Sequence, residues 1–295
     1  MTDAPTAPAG WFELLLERGE DTGAGLPAAF SAVYGGDWRL PAEGPLPYVC
    51  MNFCVSRDGR ASFSEPGHMG GGDVSGFDER DRWLMGLLRA RADAVMVGDG
   101  TLKAEPDYVL TPAAICPSDA AAFAALREAE GRRPEPLHVV VSNDGDVPWG
   151  AEVFSRPELE VVVATTERAP AAVHREAATR AARVEVLVLG EERAAVAGLA
   201  RMLAGRWGVR TIVCEGGPRL YGTMLRERLR LDEFLTVSPL VVGDDNQGVH
   251  RPSLIEGVRF PPGGAPRSQL LSVRAGGDHL YLRSRYGWHR DDGAG

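Results

Sequence analysis

The chain has 295 residues, 44% of them apolar, enough to bury one large core, and its 41 acidic against 32 basic side chains give a net charge of −9. That balance argues against nucleic-acid binding, which needs Lys and Arg clustered along a phosphate track. The absence of a long apolar run or a signal-like start, with cysteines at 50, 54, 116 and 214 in no paired framework, points to a soluble cytoplasmic protein without membrane or metal partners.

Residues 1 to 10 read as a disordered Ala/Pro tail, and Trp11 to Leu16 begin a short amphipathic helix. A Gly/Pro-rich connector, 35 to 47, leads to a strand within Pro47 to Arg60, whose alternation places Asn52 on the face shared with Ser56. It ends at Asp58-Gly59, either a plain turn or part of a site. The loop Ser64 to Gly76 carries His68, which has no partner at metal-ligand spacing, and three consecutive glycines from Gly70. Ser75-Gly-Phe-Asp78 has capping-box form ahead of a helix whose buried stripe is Trp83, Leu84, Leu87 and Leu88.

Ala92 to Thr101 is an apolar strand followed by a glycine turn. Gly98 and Gly100 open like a dinucleotide fingerprint, but Lys103 replaces its third glycine and Pro106 discourages a long helix, so a standard Rossmann turn is not expected. Thr101 either donates to a ligand or caps the turn. An insert from Thr111 to Pro136 holds an alanine-rich helix around Ser118 to Gly131. Strands at 137 to 141, 161 to 164, 184 to 189 and 211 to 214 alternate with helices near 169 to 182 and 191 to 206, the rhythm of a parallel sheet. Thr165, Thr166 and Arg168 read as an ordinary polar loop or as contacts to an adenosine 2′-phosphate.

The densest signal is Thr211 to Arg226, a buried strand, then Glu215-Gly216-Gly217, then a helix opened by Pro218 with Leu220, Met224 and Leu225 as its apolar stripe. Such a turn brings backbone N–H groups to an anion. Glu215 either pairs with a cation or bonds a polar ligand. Phe234 to Val242, Leu270 to Arg274 and His279 to Tyr286 follow without long helices between them, an antiparallel addition.

In this order, the strand with Ser-x-Asp-Gly-Arg, the glycine loop, the helix carrying Leu-Leu-Arg-Ala-Arg-Ala-Asp-Ala, Val-Gly-x-Gly-Thr and Glu-Gly-Gly-Pro-x-Leu resemble the pyrimidine reductase of riboflavin biosynthesis over about residues 46 to 286. The resemblance implies an α/β, three-layer α/β/α dihydrofolate reductase-like domain at 46 to 290, after an N-terminal appendage of residues 1 to 45. Its central sheet would be mostly parallel with antiparallel C-terminal strands. It implies NADPH as cofactor, a heterocyclic small-molecule substrate and a homodimer built on the late strands and the helix at Trp11.

By the same resemblance Asn52, Asp58 and Glu215 orient the acceptor, and Arg89, with Ser75, binds substrate, Arg89 holding its phosphate. Arg89 on the helix surface could instead form a salt bridge. Gly98, Gly100, Thr101, Glu105, Ser142, Gly216, Gly217, Pro218, Arg219, Leu220, Tyr221 and Gly222 contact the cofactor, with the backbone from Gly217 to Thr223 wrapping its pyrophosphate. Asn52 stands where the two-domain enzymes usually carry lysine, and Glu105-Pro106-Asp107 replaces Asp-Asp-Pro. No zinc deaminase signature is present, so a reductase alone is expected. A reductase of a pterin or another heterocycle, and a non-catalytic nucleotide-binding protein, remain alternatives.

Overall fold

The structure, a computed structural model, describes residues 4–245 and 247–287; the last residues of the expected 46–290 domain lie outside the described range. In chain order the strands are β1 (Glu13–Glu17), β2 (Tyr48–Val55), β3 (Ala94–Gly98), β4 (Leu137–Val141), β5 (Glu160–Thr165), β6 (Arg183–Val188), β7 (Thr211–Cys214), β8 (Leu231–Val237), β9 (Ser268–Gly276) and β10 (His279–Tyr286). The helices are α1 (Ala28–Tyr34), α2 (Gly71–Ser75), α3 (Glu79–Ala90), α4 (Asp99–Ala104), α5 (Pro112–Ile115), α6 (Ala120–Ala129), α7 (Ala172–Ala177), α8 (Val196–Trp207) and α9 (Pro218–Arg226). The chain forms two compact units, Trp83–Gly217, and Ala4–Arg82 together with the chain from Pro218 onward. The expected class is observed: mixed α/β, mostly parallel, with antiparallel strands at the C-terminal end.

In the unit Trp83–Gly217 the strand order is β7-β3-β4-β5-β6 and every pairing is parallel, with Met96 opposite Cys214, Gly98 opposite Val141 and Val141 opposite Ala164. Runs such as Leu137–Val141 and Val161–Ala164 are buried throughout, as strands covered on both faces must be. Because the strands are parallel, Gly98, Val141, Thr165 and Cys214 all lie at one edge, the carboxyl ends where α/β sheets hold ligands. Trp83, Leu84, Leu87 and Leu88 are buried as the periodicity predicts, and Trp83 Nε1 donates to Asp119 at 2.8 Å. Arg127 of α6 donates through Nη1 to the carbonyls of Arg89, Ala90 and Ala92 at 2.9, 3.1 and 2.7 Å, satisfying the acceptors left open where α3 ends. His138 is a core histidine whose Nδ1 lies 2.9 Å from the Pro136 carbonyl, and burial pushes its pKa down to about 4.

The other unit has the order β1-β9-β10-β8-β2, antiparallel except for β2 alongside β8. Here the sequence reading needs two corrections. Glu13–Glu17 is a strand paired with β9, where a helix was expected from Trp11 to Leu16; the ladder to Arg274 and Ala275 overrides a weak local pattern. Gly10 N–H donates to the Ala32 carbonyl at 2.7 Å, so the supposed tail is already anchored there. The second concerns α3, whose N-cap is Asp78: its Oδ1 accepts from the backbone N–H of Arg80 and Asp81 at 2.9 and 3.1 Å. Ser75, the expected cap, ends α2.

Asp81 sets a pH dependence. It is buried, and burial, with repulsion from Asp78, pushes its pKa up to about 6 against the opposing influences of Thr236, His279 and Ser75. A carboxyl that holds its proton more tightly in the folded chain contributes stability fully below pH ~4, and that contribution is lost as pH rises to about 6. The loss amounts to about 3 kcal/mol. Asp81→Asn is expected to flatten this part of the urea-measured stability profile and to raise stability at pH 7; an unchanged slope between pH 4 and 6 would count against it.

Candidate functional site

The carboxyl ends of β3 and β7 bring two glycine turns together. Gly98 N–H donates to the Gly216 carbonyl at 2.6 Å. A Cβ on Gly98 would sit 3.6 Å from Gly217 N, and one on Gly217 would meet only Thr101 Oγ1, at 3.8 Å. The two turns are therefore in contact while the outer face of Gly217 stays open, a cradle that a side chain would fill. Gly100 has nothing near its Cβ direction. Gly216 has φ +97°, a conformation that favours glycine, and the Gly216–Gly217 peptide is cis.

α4 starts directly after Gly98 and stops at Ala104, ahead of Pro106, as the sequence suggests. Glu105 caps its C-terminal end, its N–H bonded to the Thr101 carbonyl at 2.9 Å. At the end of β4, Ser142 is buried, and its hydroxyl donates to Asp99 at 3.0 Å and Asp144 at 3.3 Å. Lys103 Nζ bridges Asp99 and Asp146, each at 2.9 Å. Ser142 thus braces the turn that carries Asp99. After β5, the Thr166 hydroxyl is bonded to the Asn143 carbonyl and Arg168 makes an exposed pair with Glu192, the polar-loop arrangement.

After Gly217 the chain enters α9. Only its first amides lack intrahelical acceptors, and Pro218 has no N–H, so the free N–H groups of the helix belong to Arg219 and Leu220. Gly222 and Thr223, expected to wrap a pyrophosphate, have their amides inside the helix. The Tyr221 side chain points into the core, its hydroxyl bonded to Glu233 and its ring stacked on Phe53 at 5.7 Å, and a Cβ on Gly222 would collide with the Glu256 carbonyl. The segment thus offers an anion backbone and not these side chains.

Arg89 departs most from expectation. Its guanidinium is fully buried and pairs with Glu215, Nε to Oε1 and Nη2 to Oε2, both at 2.8 Å. Nη1 donates to the carbonyls of Val109 and Thr111 at 3.1 and 2.9 Å, and Nη2 also reaches the Tyr108 hydroxyl. All five N–H groups of the guanidinium therefore have protein acceptors, and none is left for a substrate phosphate. Nor is it the surface salt bridge considered from the sequence. The neighbouring charges of the same motif are structural as well. Arg91 pairs with Glu130 at 2.7 Å, and Asp93 accepts from the backbone N–H of Arg210 and Thr211 at 2.8 and 2.9 Å.

Besides those of α9, three predicted site residues belong to the other unit. Asn52 is buried on β2, opposite Phe234 in the ladder. Asp58 uses both oxygens on the backbone: Oδ1 accepts from Val242 N–H at 3.0 Å and Oδ2 from Gly243 N–H at 2.7 Å, with the Ser56 hydroxyl at 2.6 Å. Burial would raise its pKa, but these donors outweigh it and hold the carboxyl at about 2, so Asp58 tethers a loop and has no proton to give near neutrality. That loop walls an open groove of about 650 Å³ lined by Phe63, Glu65, Val242, Asp244, Val249 and Arg251. Ser75, predicted to touch substrate, is buried and its hydroxyl donates to the Gly72 carbonyl at 3.1 Å. His68 pairs with Asp73 at 2.7 Å. Tyr108 and Arg127 went unremarked in the sequence; the aromatic residue closing Glu-Pro-Asp-Tyr was the one available signal for the first.

The fold is of the dihydrofolate reductase-like α/β class, with two touching glycine turns and a buried carboxylate at the carboxyl edge of its parallel strands. Residues 47–282 match the RibD C-terminal domain, and the chain belongs to that family. It is 31% identical over 214 residues to the 2,5-diamino-6-ribosylamino-4(3H)-pyrimidinone 5′-phosphate reductase of Archaeoglobus fulgidus, covering 72% of this chain and 88% of that one. A solved pyrimidine reductase-like protein of Corynebacterium diphtheriae superposes with a TM-score of 0.63 at 23% identity, covering 83% of this chain and 93% of that one. RibD of Acinetobacter baumannii superposes with a TM-score of 0.56 at 18% identity, and the match covers 83% of this chain and 59% of RibD. Among the described residues no helix is long and apolar enough to cross a membrane.

Proposed function

We propose that the protein is an NADPH-dependent reductase acting on a phosphorylated ribosylaminopyrimidine, with its reductase domain at residues 46–290. The observation that carries this reading is the contact between the Gly98 and Gly216–Gly217 turns, with an open face at Gly217 and Glu215 anchored beside it. The 31% identity to an enzyme named as a reductase of such a compound supports the substrate class.

The nicotinamide, when bound, supplies the hydride. The chain's residues do the rest by holding and orienting. Gly98, Gly100 and Thr101 with Gly216 and Gly217 would cradle the pyrophosphate. Glu215 would accept an N–H of the heterocycle. We place the protein in the cytoplasm as a homodimer; the exposed Leu14 and Leu15 on the terminal strand β1 and Leu280 on β10 support assembly through the antiparallel strands.

The test is anaerobic turnover with purified protein, following NADPH consumption with the diaminopyrimidine phosphate and with a dihydropterin. Oxidation of NADPH with the pyrimidine and not the pterin is the expected result. Turnover of the pterin alone, or binding without turnover of either, would overturn the assignment.

A further inference from the structure

Glu215 presents a carboxylate with most of its acceptor capacity already used. Its side chain is 3% exposed and that of Arg89 is 0%. The bidentate pair places one N–H on each oxygen, at 2.8 Å, and the Tyr108 hydroxyl adds a second donor to Oε2 at 3.0 Å. Each carboxylate oxygen offers two lone pairs. Oε2 is thus filled, while Oε1, holding only the Arg89 Nε–H, keeps one.

Tyr108 is fixed from two sides. Arg89 Nη2 donates to its oxygen, leaving the hydroxyl proton for Glu215, and the guanidinium carbon lies 4.8 Å from its ring centroid. Burial, then the carboxylates of Glu215 and Glu105, outweigh Arg89 and raise the phenol's pKa well above its ordinary value, so it remains a donor at any working pH.

We propose that Tyr108 is a positioning residue which, with Arg89, blocks Oε2 of Glu215 and leaves Oε1 as the single acceptor for one N–H of the aminopyrimidine. The inference rests on the reductase reading and deepens it. It assigns Arg89 to the carboxylate and not to the substrate's phosphate, and it makes the tyrosine following Glu105-Pro106-Asp107 part of the substrate-recognition apparatus. Without Tyr108 the carboxylate offers a second open acceptor and loses one of its three fixed bonds.

The experiment is a double-mutant cycle on kcat/KM using Tyr108→Phe, Glu215→Gln and the pair, at saturating NADPH, with the pyrimidine substrate in phosphorylated and dephosphorylated forms. Tyr108→Phe keeps the ring and its packing but takes one acceptor from a buried Arg89 N–H, so the melting temperature is expected to fall, and kcat/KM is read well below it, on folded protein. Loss of a hydrogen bond to a charged group should lower kcat/KM about tenfold in the wild-type background. In the Glu215→Gln background the same change should do almost nothing, and the preference for the phosphorylated form should be the same in every variant. Equal losses in both backgrounds would give Tyr108 a merely structural role and overturn the proposal. So would a preference for phosphate that falls with Tyr108→Phe. If the wild-type protein does not reduce the pyrimidine at all, the functional reading fails and this role with it; an active wild type with additive variants overturns the positioning alone.

Discussion

Arg89→Ala is expected to destabilise the protein by about 3 to 5 kcal/mol, the cost of breaking a buried ion pair from one side. Truncation leaves Glu215 as a buried carboxylate with only Tyr108 still donating, and it strips the carbonyls of Val109 and Thr111 of their shared donor. The guanidinium joins α3 to the end of β7 and to the chain between α4 and α5, so several contacts fail together. Lysine should recover little, since a single ammonium cannot reproduce a planar fork reaching two oxygens and two carbonyls at once. Urea unfolding decides the matter. A loss below about 1 kcal/mol, the range of a surface pair, would contradict the buried arrangement.

Gly217→Ala should do the reverse, leaving stability nearly unchanged and removing cofactor affinity. Its φ lies outside the left-handed region, and the nearest atom to the added Cβ is Thr101 Oγ1 at 3.8 Å, an ordinary contact, so the folded chain has room for it. A bound pyrophosphate resting on this turn does not. Forcing one carbon into a filled contact costs about 1 to 3 kcal/mol, which corresponds to a rise of about ten- to a hundredfold in the Kd for NADPH. Calorimetric titration of folded variant protein is the measurement, and an unaltered Kd would remove NADPH from Gly217.

Much of the frame was legible because local chemistry and burial agree. Leu137 to Val141 and His279 to Tyr286 are strands with the boundaries read from the residues, and Pro218 opens its helix as the fixed φ of proline favours. The glycine turns were visible for the same reason, since few other residues permit that approach of backbone to backbone or ligand. Trp11 to Leu16 misleads because six residues cannot reveal that β9 lies beside them; the partner of Leu14 is Arg274. Ser75, Asp58 and Ser142 were recognised as polar residues near a site, but their hydroxyl and carboxylate groups serve the backbone or a neighbouring acid, a choice made only once the loops are placed.

By itself, then, the sequence determined the alternation of strands and helices, the parallel-then-antiparallel order, and the positions of the glycines and of Glu215, because each depends on residues within a turn or two of one another. Tertiary structure decided what the charges do. Arg89 and Glu215 stand 126 residues apart, and Tyr108 lies 107 from Glu215. No local rule relates them. Burying a guanidinium is costly unless its N–H groups find acceptors, and the fold supplied Arg89 with a carboxylate, a phenol and two carbonyls, where the sequence alone had pointed it at a substrate phosphate.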